Sequence, residues 1–201
     1  MIITKEVKHI EKVEMLYSLH GGKLEDCNFF GVSNIDGMKL SVWNDALGLY
    51  DKKNGVAYIG EGTCSPSKWW TLNHGKGVDH LMPGWYKHIW ALGNHKGHLA
   101  LVQGERKVST IRDTNRNFEI DPSDEIVTDK AWWGIDMHTT YRPIRTLGII
   151  GQASAGCQVW KYWQDFEEII KTVKKSGQEL FSYLLMSQKE ENEELYKLVY
   201  R

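Results

Sequence analysis

The sequence predicts a mainly β protein of the α+β class. Three observations carry that expectation. Short apolar runs divided by turn residues fill the middle of the chain. Helical spacing is confined to a stretch near each end, and nowhere does strand alternate with helix in the manner of βαβ units. The expected architecture is a sandwich-like β core with an N-terminal helix and a second helix late in the chain.

Taken in order, residues 4–20 place Val7, Ile10, Val13, Leu16 and Leu19 close to helical spacing and stop at Gly21-Gly22, which predicts an amphipathic helix. Strands are then expected at 38–43, 46–50 and 56–59. The Asp51–Gly55 segment forms a hairpin turn, because Asn54-Gly55 accepts positive φ. Further strands are expected at 86–92, 99–103, 108–112, 135–138, 147–150 and 158–160. Helical spacing returns over 163–174 through Phe166, Ile169, Ile170 and Val173, and ends before Gly177. The aromatic and leucine run 181–186 is read as a last strand. The charged residues that follow read as a solvated tail. The expected organisation is an N-terminal helical extension (1–27), one main domain (28–187) and a charged tail (188–201).

Composition excludes several classes. The chain has 201 residues, and 25 Lys+Arg against 26 Asp+Glu leave a net charge of −1, with no field to capture a phosphate backbone. No run approaches the length needed to span a bilayer, and the early charges leave no room for a secretory signal. The expectation is a protein made in the cytoplasm, without membrane insertion and without a nucleic-acid partner. Its three cysteines, Cys27, Cys64 and Cys157, form no C-x-x-C pair, so neither a zinc ribbon nor a disulfide framework is expected.

The chemistry concentrates between Gly134 and Trp160. His138 ends a predicted strand, and Ser154-Ala155-Gly156-Cys157 precedes another. A cysteine at a strand start after a glycine turn is presented at one end of a sheet. A histidine within reach would supply the base that makes thiolate. Read from spacing alone, Cys157 is equally a small buried apolar residue and His138 a hydrogen-bonded strand end.

His138 followed by Ser154-x-Gly156-Cys157 resembles the signature of the L,D-transpeptidase catalytic domain superfamily. Met82-Pro83-Gly84-Trp85-Tyr86, Trp90–His95 and Ser154-Ala155-Gly156-Cys157-Gln158-Val159 are similar to a branch often encoded by phages. The resemblance implies an L,D-transpeptidase-like β-sandwich, with a helix after the catalytic cysteine, that acts on bacterial peptidoglycan stem peptides through a thioester. It makes Cys157 the nucleophile and His138 the base. The N–H groups of Gly156 and Cys157 become oxyanion donors, and Ser154, Thr139, Gln158 and Trp133 substrate-side residues. It implies no cofactor and no metal. Three positions depart from the pattern: Thr139 stands in place of glycine, Ala155 in place of a histidine, and Val159 in place of an arginine.

The leading expectation is therefore a hydrolytic, phage-type enzyme that reaches the wall during lysis or from the virion. A non-catalytic wall-binding or virion module is the alternative, motivated by Ala155 and Val159. A metal-dependent hydrolase built on His74, His80, His88, His95 and His98 is a third reading, though their spacing fits no helix-borne or finger pattern. Of these, His95 or His98 could take the place left by Ala155. Most of the nine tryptophans read as core filler, with Trp132-Trp133 the best placed to line a cleft.

Overall fold

The computed structural model describes residues 1–34, 42–75, 77–130, 134–140, 150–188 and 190–200. In chain order its elements are β1 (Ile2–Thr4), α1 (Val7–Leu19), β2 (Cys27–Ser33), β3 (Asp45–Asp51), β4 (Val56–Thr63) and α2 (Lys68–Asn73). Then follow β5 (Asp79–Leu81), β6 (Gly84–His95), β7 (His98–Gln103), β8 (Val108–Arg112), β9 (Glu125–Lys130) and β10 (Met137–Thr139). The chain closes with β11 (Gln158–Trp160), α3 (Trp163–Ser176), β12 (Leu180–Ser187) and α4 (Glu190–Lys197). The mainly β, α+β class is as the sequence predicts.

The strands do not form the two separate sheets of a sandwich. β4, β11, β10, β7, β6, β12, β2 and β3 pair in that order, and β3 pairs back onto β4, so eight strands close a barrel. Closure rests on pairings between strands far apart in sequence, which local patterning does not encode. The pairs β10–β11 and β12–β2 are parallel, and the other barrel pairings are antiparallel. A smaller sheet, β5–β8–β9, stands beside the barrel.

Turn chemistry sets the two tightest hairpins. Between β3 and β4, Gly55 takes φ +60°, and the Asp51 carboxylate accepts from both the backbone and side-chain amides of Asn54. Between β6 and β7, Lys96 and Gly97 take φ +49° and +85°, as a two-residue turn with two left-handed positions requires.

Side chains alternate in and out along β2, β3 and β12. One set, Phe29, Leu47, Leu49, Phe181, Tyr183 and Leu185, packs with Trp90, Trp160 and the buried face of α3. The other set, Phe30, Val32, Ala46, Tyr50, Leu184 and Met186, lies under Val13, Leu16 and Tyr17 of α1 and Leu195 of α4. The helix α3 buries Phe166, Ile169, Ile170 and Val173 and ends at Gly177 with φ +72°. It packs against β10 and β11, the strands that carry the candidate site.

Both termini are built into the body. β1 pairs with β4, and the N-terminal ammonium meets Asp165 at 2.9 Å. Beyond the charged run 189–194, the end of the chain packs down: Leu195 is fully buried, and Tyr196 and Tyr200 donate to the carbonyls of Asn44 and Asp45, both at 2.8 Å. The expected strand at 147–150 and most of that at 38–43 lie outside the described residues. No described helix is long and apolar enough to cross a membrane.

Candidate active site

Register brings the cysteine and histidine together. β10 and β11 run parallel with Met137 opposite Gln158 and His138 opposite Val159. One step earlier Asp136 stands beside Cys157, where the Gln158 N–H donates to the Asp136 carbonyl at 2.9 Å. Because side chains alternate, Asp136 and His138 share one face, and Cys157 projects to that same side.

A third group arrives from the β6–β7 hairpin. The His95 ring stacks on His138 with centroids 4.3 Å apart and planes 9° from parallel. His95 Nδ1 pairs with Asp136 Oδ2 at 2.7 Å. The other Asp136 oxygen accepts the Gln103 N–H at 2.8 Å, which fixes the carboxylate. His138 Nδ1 donates to the Thr139 carbonyl at 3.1 Å, so the basic lone pair resides on Nε2. That Nε2 is buried and has no hydrogen-bond partner among the described residues. One ring nitrogen of each histidine and Cys157 Sγ all lie within 4.8 Å of one another.

Cys157 opens onto a cleft of about 230 Å³. Trp70, Asp79, His95, Lys96, Gln152 and Ala155 form much of its wall, and His138 lies one ring deeper, stacked behind His95. The indole of Trp70 donates to the Gln152 carbonyl at 3.0 Å, and the Ser67 N–H donates to the Ser154 carbonyl at 2.9 Å. These bonds tie α2 to the segment that ends in the cysteine.

Electrostatics hold the pair neutral at rest. Burial pushes the Cys157 thiol up to about 12, with the Asp136 carboxylate adding to the rise. Burial also pulls His138 down to about 4, against the opposing pull of the Thr139 carbonyl. The thiol donates to the Gly134 carbonyl, 3.5 Å away, while standing within 4.8 Å of a ring nitrogen of His138.

His80 is likewise buried, and its folded pKa falls to about 3. Both histidines are neutral when folded and protonate near 6.5 when unfolded, so the unfolded chain binds more protons in acid. Their contribution to stability is complete above pH 6.5 and is lost as pH falls from 6.5 toward 4 and 3. Urea unfolding across that range should show stability falling steeply with acid. The His80→Phe variant should flatten the lower part of the curve.

The remaining expected site residues fall into two groups. Ser154 is fully buried, accepting the Gly156 N–H at 3.1 Å and donating to the Cys157 carbonyl at 2.8 Å. It shapes the loop and does not reach the cleft, and the Gly156 N–H is held inside that turn rather than offered to an oxyanion. Gly156 itself lines the cleft. Thr139 is buried, with its hydroxyl donating to the Trp160 carbonyl at 3.0 Å, so its link to the site is the carbonyl that orients His138. Gln158 turns away: its amide reaches the Cys64 and Gly156 carbonyls and accepts the Tyr183 hydroxyl at 2.8 Å. Of the expected substrate-side residues, then, Ser154, Thr139 and Gln158 are committed to internal hydrogen bonds, because each sits beside buried backbone groups that need partners. Trp133 lies outside the described residues.

Sequence reasoning missed Asp136, Trp70 and Asp79, and reached His95 only as one of two candidates. Asp136 carried a readable signal, since it precedes His138 by two and must share its strand face. The histidines from 74 to 98 scatter. His74 bonds the Gly77 carbonyl and His88 pairs with Glu25, so His95 alone of the five joins His138 and Cys157. Among the described residues, His95, His138 and Cys157 are the group able to hold a soft metal ion.

Comparison with protein-family models, with curated proteins and with solved structures finds no match.

Proposed function

We propose that this chain is a cysteine-dependent enzyme of the L,D-transpeptidase type that cleaves peptidoglycan stem peptides, working hydrolytically as phage-encoded wall-degrading enzymes do. One observation carries the reading: a thiol at a cleft floor beside a buried imidazole nitrogen with no other partner. A buried unpaired base is costly unless a reacting group uses it.

The groups assign the steps. Cys157 Sγ attacks the carbonyl of the acyl residue as its proton passes to His138 Nε2. With the thiol near 12 and the imidazole near 4, transfer accompanies attack rather than preceding it. The tetrahedral oxyanion takes its hydrogen bond from the Cys157 N–H, because the Gly156 N–H is engaged by Ser154. The C–N bond breaks, the amine leaves with the proton from His138, and a thioester remains. Water then attacks, giving its proton to His138, and the thiol regains a proton as the acid departs. His95, held by Asp136, packs on His138 and fixes its ring plane.

Mass spectrometry of muropeptides after incubation with purified sacculi tests the proposal. New free carboxyl termini in stem peptides are expected, and an unchanged profile at high enzyme concentration would rule it out.

The same three side chains favour one other reading, a soft-metal centre with an open position. His95 would then be steadied by Asp136 in the manner of an outer-shell carboxylate. Exhaustive chelation separates the two: the thiol enzyme keeps full activity, whereas a metal hydrolase loses it and recovers with zinc.

A further inference from the structure

We propose that the twelve-residue loop joining β8 to β9, residues 113–124, is a calcium site. This rests on oxygen chemistry remote from the thiol and stands independently of the reading above.

The loop reads Asp113-x-Asn115-x-Asn117-x-Glu119-x-Asp121-x-x-Asp124. Oxygen side chains therefore fall at positions one, three, five, nine and twelve, with a backbone carbonyl available at seven. This is the spacing by which a twelve-residue loop wraps a calcium ion. Such loops turn sharply at position six, normally through glycine, and here Phe118 takes φ +69° at that place.

A separate observation points to a cation. Asp124 is only 9% exposed, and its Oδ1 is buried without a hydrogen-bond partner among the described residues. Asp113, at the other end of the loop, is fully buried, its carboxylate accepting the Asn117 and Phe118 N–H groups at 3.2 and 3.1 Å. Neither forms an ion pair among the described residues. A buried carboxylate oxygen without a partner, in a loop whose other buried carboxylate is also unpaired by any cation side chain, is poorly compensated, and a divalent ion held by the loop supplies the counter-charge.

The other ligands are already gathered. Asn115 and Asn117 donate their amide N–H groups to Asp121 Oδ2 at 3.0 and 2.7 Å. Their amide oxygens accept the Asn117 and Glu119 N–H groups, both at 2.9 Å, and each keeps a second lone pair for an ion. The donors are all oxygen, which excludes zinc and copper. Their number and the flexible mix of carboxylate, amide and carbonyl suit calcium better than magnesium.

The loop also leans on the cleft. Arg116 donates to the His74 and Gly75 carbonyls at 3.2 and 2.6 Å, and Arg112, next to Asp113, pairs with Asp79 at 2.7 Å. An ion in the loop would brace the wall that Asp79 contributes.

The test uses the full chain, freed of metal by chelation and titrated with calcium alone. Thermal unfolding should shift upward by about 4 °C once calcium exceeds its Kd tenfold. Amide NMR shifts should centre on residues 113–124. The Asp124→Asn and Asp121→Asn variants, each first checked for a cooperative melt without metal, should lose the shift. No calcium response in the native chain overturns the proposal, as does an equal shift in both variants. An equal response to magnesium, or NMR changes centred elsewhere, also overturns it.

Discussion

Replacing Cys157 by alanine is expected to lower the release of new stem-peptide termini by at least about 10⁴-fold, because among the described residues no other thiol or hydroxyl lines the cleft to form the acyl intermediate. Cys27 and Cys64 are both buried elsewhere in the structure, their thiols are raised by burial, and neither lines the cleft. The truncation removes one sulfur from a side chain packed with Trp43, Ile150 and Val159, so the fold should melt within a few degrees of the native chain. Activity measured by muropeptide mass spectrometry and stability measured by calorimetry therefore separate cleanly. Retained activity in Cys157→Ala would discard the thiol mechanism. A variant and a native chain that both bind sacculi without generating product would establish the non-catalytic module instead.

The second large effect is structural. Gly156 takes φ +130°, and a Cβ placed there would stand 2.6 Å from the Asp79 carbonyl oxygen. Backbone, not a flexible side chain, supplies the obstacle, so the Gly156→Ala variant must both strain its own φ and displace the start of β5. Together these should cost about 2–4 kcal/mol of stability. They should also move Cys157, the next residue, away from His138. The expected outcome is a lower denaturation midpoint together with activity loss far beyond what the fraction unfolded explains. A variant with native stability would show that β5 yields freely.

Much of this was legible in the residues themselves. Strands β3, β4, β6, β7, β8 and β11 announce themselves through alternation and through turns such as Asn54-Gly55, and α3 through Phe166, Ile169, Ile170 and Val173. The pairing of His138 with Cys157 was legible as a bet on two strand ends. The exchange of a sandwich for a ring was not, because the β4–β11, β12–β2 and β12–β6 pairings join strands far apart in sequence, partners chosen in three dimensions. The roles of Ser154, Thr139 and Gln158 were hidden for a related reason. Each is polar and lies within three residues of a proposed catalytic position, yet the nearest unsatisfied groups are backbone amides and carbonyls of the fold, which take their hydrogen bonds first. His95 is the converse case: a residue of a distant hairpin stacks on His138 and pairs with Asp136, a partnership that no local pattern encodes.

Strands β10 and β11 are three residues each, the shortest staves of the ring, and they meet side by side. The proposed reactive pair is thus mounted on the ring's two shortest strands, and β10 meets its other neighbour, β7, at a single register pair, Met137 with Leu101. Amide exchange across 137–139 and 158–160 therefore reports at once on the integrity of the wall and on the readiness of the thiol. Under the proposed mechanism, a substrate acylated onto Cys157 and held against β10 would act as a stitch between the two strands.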